Sequence, residues 1–137
     1  MPDKTLTTTP ALPPTVRRPD FASNYANNAR FESTVYDLKV IFGQSELSSG
    51  SEIVDQHTAV TLPWPFVKVF LYYLQVQLIA QEVQNGPVVI PPSQIPPPFE
   101  PPAEYANDPG VQRGREAINR FREQFIASLN EAARPKP

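Results

Sequence analysis

The stretch IVDQHTAVTLPWPFVKVFLYYLQVQLIAQEVQNGPVVI, residues 53–90, decides the fold. In residues 53–62, Val54, Thr58, Val60 and Leu62 fall on one face, while Asp55, His57, Ala59 and Thr61 take the other. That alternation predicts a half-buried strand. Pro63-Trp64-Pro65 stops it and opens a helix, since proline is tolerated in a first turn whose N–H groups have no helical partner. The helix is predicted from about residue 65 to 84, with Asn85-Gly86 as its stop ahead of Pro87. Residues 88–90 predict one short edge strand.

Upstream, Ala29, Phe31 and Ser33 alternate with Arg30 and Glu32, and beyond Asp37 the apolar parity switches to Leu38, Val40 and Phe42. A switch of parity marks a bulge or a turn. A hairpin with its loop at residues 34–37 sets Phe31 opposite Val40 and Glu32 opposite Lys39, pairing apolar with apolar and opposite charges across the strands. Residues 43–52, GQSELSSGSE, read as a polar loop. Downstream, residues 91–102 (PPSQIPPPFEPP) favour extended polyproline II and predict a semi-rigid spacer. Asp108-Pro109 matches an N-cap followed by proline at the first helical position, opening a second helix over 109–133. Its Ile118, Phe121, Phe125, Leu129 and Ala132 make an apolar stripe at three- and four-residue spacing.

The first helix divides into unusual sectors at 100° per residue. Val67, Leu71, Leu74 and Leu78 line one side, and Val69, Val76, Ala80 and Val83 line nearly the opposite side. Lys68, Tyr72, Gln75 and Glu82 fill one gap, while Gln77, Gln81 and Gln84 fill the other beside Phe66, Phe70 and Tyr73. A helix lying on one sheet needs a single stripe. Two stripes predict two coverings, the second being the chain's own tail or second helix, or else another copy or a partner. A core of about 70 residues is marginal alone, which favours association.

Composition narrows the classes. Of 137 residues 18 are proline, and only Pro63, Pro65 and Pro87 lie within residues 21–90. The chain therefore reads as an N-terminal arm (1–20), an α+β core (21–90), a proline-rich extended linker (91–108) and a C-terminal helix with its tail (109–137). The arm has too few large apolar side chains to order itself, so it is expected to be disordered or ordered by a partner. With no cysteine, disulfide scaffolds, thiolate metal sites and cysteine nucleophiles are excluded. A net charge of −2 and a pI near 5.4 argue against a dedicated nucleic-acid binder. The opening residues lack the apolar stretch of a signal peptide. Lys68, Gln75, Gln77, Gln81 and Glu82 make membrane insertion of residues 62–83 unfavourable, and a cytoplasmic location is expected.

Tyr25-Ala26-Asn27-Asn28, Asp37-Leu38, Phe42-Gly43 and the strand–proline–helix junction, with Glu82 and Gly86 closing the helix, resemble a small prokaryotic family of domains of unknown function, number 3467. The resemblance covers residues 23–92, about half the chain. It implies a compact hairpin, strand and helix unit, and carries no activity or ligand. A looser architectural likeness is to the sheet-and-helix subunits of SecB-type chaperones, which assemble through their sheets.

Chemistry-bearing residues form no convincing constellation. Asp55 and His57 share a strand face and an Asp can orient a base, but no nucleophile accompanies them and a solvated pair accounts for both. Asp37, Glu46, Glu52 and Asp55 lack the spacing of a calcium loop, and the five glycines form no phosphate loop. Arg113, Arg115, Arg120 and Arg122 are offset by Glu116, Glu123 and Glu131, and Glu116–Arg120 has the favourable i,i+4 order. Trp64, between two prolines, reads as a structural plug at the sheet edge.

The expected fold is α+β: a small antiparallel sheet, a hairpin plus a third strand, packed by one long helix, with a proline-rich linker and a C-terminal amphipathic helix. No catalytic, metal or cofactor residues are assigned, and no enzyme activity is expected. The expected interface residues are Val69, Tyr73, Val76, Ala80 and Val83 on the first helix and Ile118, Phe121, Phe125 and Leu129 on the second. The expected function is an accessory or scaffold subunit that self-associates through its core and grips a larger protein partner with extended arms. The alternative is a chaperone-like or adaptor homo-oligomer that binds client segments at an apolar surface. A stiff spacer carrying a capped amphipathic helix is suited to reaching a groove on a partner.

Overall fold

A computed structural model describes residues 13–48 and 50–132. The chain is α+β: three antiparallel strands, β1 (Asn28–Ser33), β2 (Asp37–Ser48) and β3 (Ser51–Pro63), then two helices, α1 (Trp64–Asn85) and α2 (Pro109–Ala132). It divides into two compact units, Met1–Val67 and Lys68–Pro137, the division falling inside α1.

In the first unit the strands form a meander in the order β1-β2-β3. The β1–β2 register is the one the parity switch demands, with Phe31 opposite Val40 and Glu32 opposite Lys39; the Lys39 Nζ to Glu32 Oε2 distance is 3.1 Å. Thr34 builds the turn. Its N–H donates to the Asp37 carbonyl at 2.9 Å, its hydroxyl donates to Asp37 Oδ1 at 2.8 Å, and its Oγ1 accepts the N–H groups of Tyr36 and Asp37, each at 3.1 Å. Trp64 Nε1 donates to the Thr34 carbonyl at 3.0 Å, tying the start of α1 to this turn.

The predicted polar loop over 43–52 is instead a second hairpin. β2 continues to Ser48 and pairs as far as Ser51. Serine and glycine there are poor strand formers, but backbone pairing with β3 satisfies N–H and C=O groups that a loop would leave to water, and it overrides composition. Between Phe42 and Gly43 the register slips: Phe42 faces Thr58 while Gly43 faces Gln56, so His57 is the extra residue of a bulge. A slip by one residue reverses the sides. Thr58, Val60 and Leu62 share the face of Phe42, Val40 and Leu38, but beyond the bulge Asp55 joins that face and Val54 leaves it. The predicted single face of Val54, Thr58, Val60 and Leu62 is therefore broken at His57. Val40, opposite both Phe31 and Val60, is the one buried apolar side chain among the described residues.

Gly43 is required at the slip. A Cβ there would lie 2.7 Å from the Asp55 carbonyl oxygen and 2.9 Å from Val54 Cγ1, distances no side chain accepts. The same point anchors the segment ahead of β1. The Asn27 N–H donates to the Gly43 carbonyl at 3.1 Å, and Asn27 Oδ1 accepts the Ser45 N–H at 2.7 Å.

In the second unit α1 ends as the sequence requires. Gly86 adopts a positive φ of 87°, where a side chain is disfavoured, and its N–H reaches the Glu82 carbonyl at 3.0 Å. Glu82 Oε1 then accepts the Val88 N–H at 3.1 Å. Residues 88–90 form no strand, contrary to expectation; Pro87 and Pro91 bracket them and withhold the N–H groups that a ladder would use. Asp108 caps α2, its Oδ1 accepting the N–H groups of Gly110 at 2.8 Å and Val111 at 3.0 Å. No residue of α1 is buried among the described residues.

Candidate functional site

α1 carries the feature that most needs explaining. The expected interface residues Val69, Tyr73, Val76, Ala80 and Val83 are all exposed, and so are Leu71, Leu74 and Leu78 of the other stripe. A helix with apolar stripes on two nearly opposite sides calls for a covering on each of them. No helix among the described residues is long and apolar enough to cross a membrane. Taking exposed fractions of the large apolar side chains on α1 with about 100 Å² for each aliphatic and about 200 Å² for each aromatic group, the open apolar surface summed around the helix is roughly 870 Å². Divided between two opposed sides, that still leaves each side near the few hundred Å² at which an exposed patch on a soluble monomer marks an interaction site.

α2 is held by its own linker. Residues 96–100 run antiparallel to the helix: Arg122 Nε donates to the Pro96 carbonyl at 2.7 Å, Asn119 accepts the Phe99 N–H at 2.7 Å and donates to the Phe99 carbonyl at 3.1 Å, and Arg115 Nη2 meets Glu100 Oε1 at 2.9 Å. The spacings agree. Four residues of polyproline II rise about 12 Å and seven residues of α-helix about 10 Å, so three successive anchors fall into register. The linker is thus folded back on the helix it was expected to project. Ile118, Phe121 and Phe125 line a groove of about 150 Å³ with Pro96, Pro97 and Phe99. Phe121 remains 69 % exposed beside it, and Phe125 and Leu129 are half-buried.

Of the latch residues, Asn119 and Glu100 carry no role in the sequence reading, and Arg115 and Arg122 figure there only as outer-face charge. One signal was present: an asparagine in mid-helix is a poor helix former whose amide suits a backbone partner. The turn tip was missed as well, where Val35 and Tyr36 stand more than four-fifths exposed.

The acid–base pair does not form. His57 Nε2 lies 2.8 Å from the Tyr25 carbonyl and Nδ1 lies 2.7 Å from Thr58 Oγ1. A carbonyl only accepts, so in the neutral ring the hydrogen sits on Nε2 and Nδ1 accepts the Thr58 hydroxyl. That hydroxyl in turn accepts from Asn24 Nδ2 at 3.1 Å. Both ring nitrogens are engaged, and Asp55 is left outside. His57 fastens residues 24–25 at the bulge.

The carboxylates are likewise dispersed into local bonds: Asp37 takes the Thr34 hydroxyl and Glu52 takes the Ser45 hydroxyl. Among the described residues no three His, Cys, Asp or Glu side chains are grouped closely enough to hold a metal ion. Of the four arginines, Arg115 and Arg122 are turned to the linker, leaving Arg113 and Arg120 on the exposed side of α2. An open concavity on α2, lined by Arg115, Glu116, Asn119, Arg120 and Glu123, carries both signs of charge. Trp64 is a structural tie through Thr34.

The chain is α+β, with apolar side chains exposed on α1 and α2. No protein-family model matches the chain, and no curated protein or solved structure matches it.

Proposed function

We propose that this chain is a non-enzymatic accessory or scaffold subunit that associates with further copies through α1 and contacts a larger protein partner through its arms. One observation carries the reading: a 22-residue helix with apolar stripes on two nearly opposite sides contains no buried residue. Apolar side chains left open on both sides of a helix are the kind of surface that association removes from water. The exposed Phe121 and the Val35-Tyr36 turn tip supply further apolar points for a partner. The order of Tyr25-Ala26-Asn27-Asn28, Phe42-Gly43 and the strand–proline–helix junction supports kinship with domain-of-unknown-function family 3467, and a prokaryotic, cytoplasmic setting goes with it.

A chaperone-like or adaptor homo-oligomer that takes client segments on the same surface is the second reading. It is favoured by the breadth of the apolar surface, which exceeds a single stripe. Native mass by light scattering and co-purification test both. A multimer recovered with one partner in fixed stoichiometry supports the scaffold. A multimer that binds unrelated unfolded chains supports the chaperone-like reading. A monomer that stays monomeric at high concentration overturns self-association.

A further inference from the structure

The self-associating surface of α1 has a seam with a direction. Val69, Tyr72, Val76, Ile79 and Val83 recur at alternating spacings of three and four, the repeat by which one helix packs against another along its length. Their side chains range from 38 % exposed at Val76 to 79 % at Val83. Along one flank of the seam, at intervals of seven, lie Lys68, Gln75 and Glu82. Lys68 and Glu82 are the only charges on α1, and neither is in an ion pair among the described residues. Glu82 spends Oε1 on the Val88 N–H, which leaves Oε2 open.

We infer that α1 pairs antiparallel with α1 of a second copy of this chain, with Lys68 of each copy meeting Glu82 of the other and Gln75 meeting its own copy on the two-fold axis. The inference rests on the reading of the chain as a self-associating subunit. Antiparallel packing stacks Val69 against Ile79 and Tyr72 against Val76 of the other copy. Residues on this one flank then face the same flank of the other helix, so the two opposite charges, two heptads apart, coincide at both ends. Parallel packing places Lys68 level with Lys68, and leaves each charge without a counterpart. The charges therefore select the direction while the apolar seam supplies the affinity.

The test uses the full chain, which has no native cysteine. Lys68→Cys and Glu82→Cys variants are treated with a short thiol-specific bismaleimide, separately and after mixing and re-equilibration, alongside native mass by light scattering. In an antiparallel pair of Lys68→Cys chains the two introduced thiols stand about 20 Å apart, and the same holds for Glu82→Cys. Each variant alone therefore stays at the chain mass of 15.3 kDa, and only the mixture yields a species of twice that mass. Cross-linking of either variant alone means parallel pairing and overturns the inference. A multimeric mixture that does not cross-link overturns it too, while leaving self-association standing through another surface. Monomeric variants beside a monomeric parent chain overturn both readings together.

Discussion

The Asn27 side chain grips both backbone groups of Ser45: its Oδ1 accepts the Ser45 N–H at 2.7 Å, and its Nδ2 reaches the Ser45 carbonyl at 3.5 Å. An amide has the same donor–acceptor pair as a peptide unit, so Asn27 continues the β1–β2 ladder beyond the last backbone pair, Asn28 with Gly43. This gives the Tyr25-Ala26-Asn27-Asn28 motif a physical task.

Asn27→Ala removes both bonds and leaves the Ser45 N–H to water. A neutral hydrogen bond contributes about 0.5–1.5 kcal/mol net, so the variant is expected to lose about 1–2 kcal/mol, read as a lowered urea midpoint. An unchanged midpoint would show that the ladder holds without its side-chain extension.

Gly43→Ala forces a methyl group against the Asp55 carbonyl and Val54. Overpacking of this kind costs about 1–3 kcal/mol. Thermal unfolding should show the loss, and amide exchange should rise at residues 54–58 first, where the strand must shift to make room. Equal stability would mean that the bulge relaxes freely.

Asn119→Leu puts a good helix former in place of a poor one on α2 and deletes the two bonds to Phe99. The linker should loosen while helix content holds. Exchange of the Phe99 amide is expected to quicken about ten-fold, the equivalent of about 1.4 kcal/mol of local opening. Unaltered exchange at Phe99 would place the grip on Arg115 and Arg122 alone.

Val76→Glu puts a charge at the centre of the α1 seam, at a position already partly exposed in the single chain. The native mass should fall toward that of one chain with circular dichroism preserved. A mass equal to that of the parent chain would remove α1 from the interface.

Where the chain's own local chemistry decides, the fold was readable. Phe31, Glu32, Lys39 and Val40 fix the first hairpin because period and charge agree on one register. Pro65, Gly86 and Asp108-Pro109 mark helix ends because each meets a backbone demand found only there. Residues 43–48 were misread because their strand character comes from β3 and not from their own side chains. The bulge escaped because alternation cannot count an inserted residue, although Gly43, fixed by close approach, stands at the very slip. The linker's return along α2 depends on Asn119 and Arg122 meeting carbonyls some twenty residues away, which periodicity does not register. The expected interface residues of α1, Val69, Tyr73, Val76, Ala80 and Val83, do stand open, since two opposed apolar stripes are legible from helical spacing alone.

The bulge at His57 lies on β3, and β3 forms an outer strand of the sheet. A straight outer strand of 13 residues would offer a long row of unused amides and carbonyls to any extended chain that met it. The extra residue cuts that row into two short lengths of different phase, on either side of the histidine. A strand that began to add at one end would be out of step at the other. The irregularity that fastens the N-terminal segment thus also makes this edge of the sheet a poor template for open-ended strand addition.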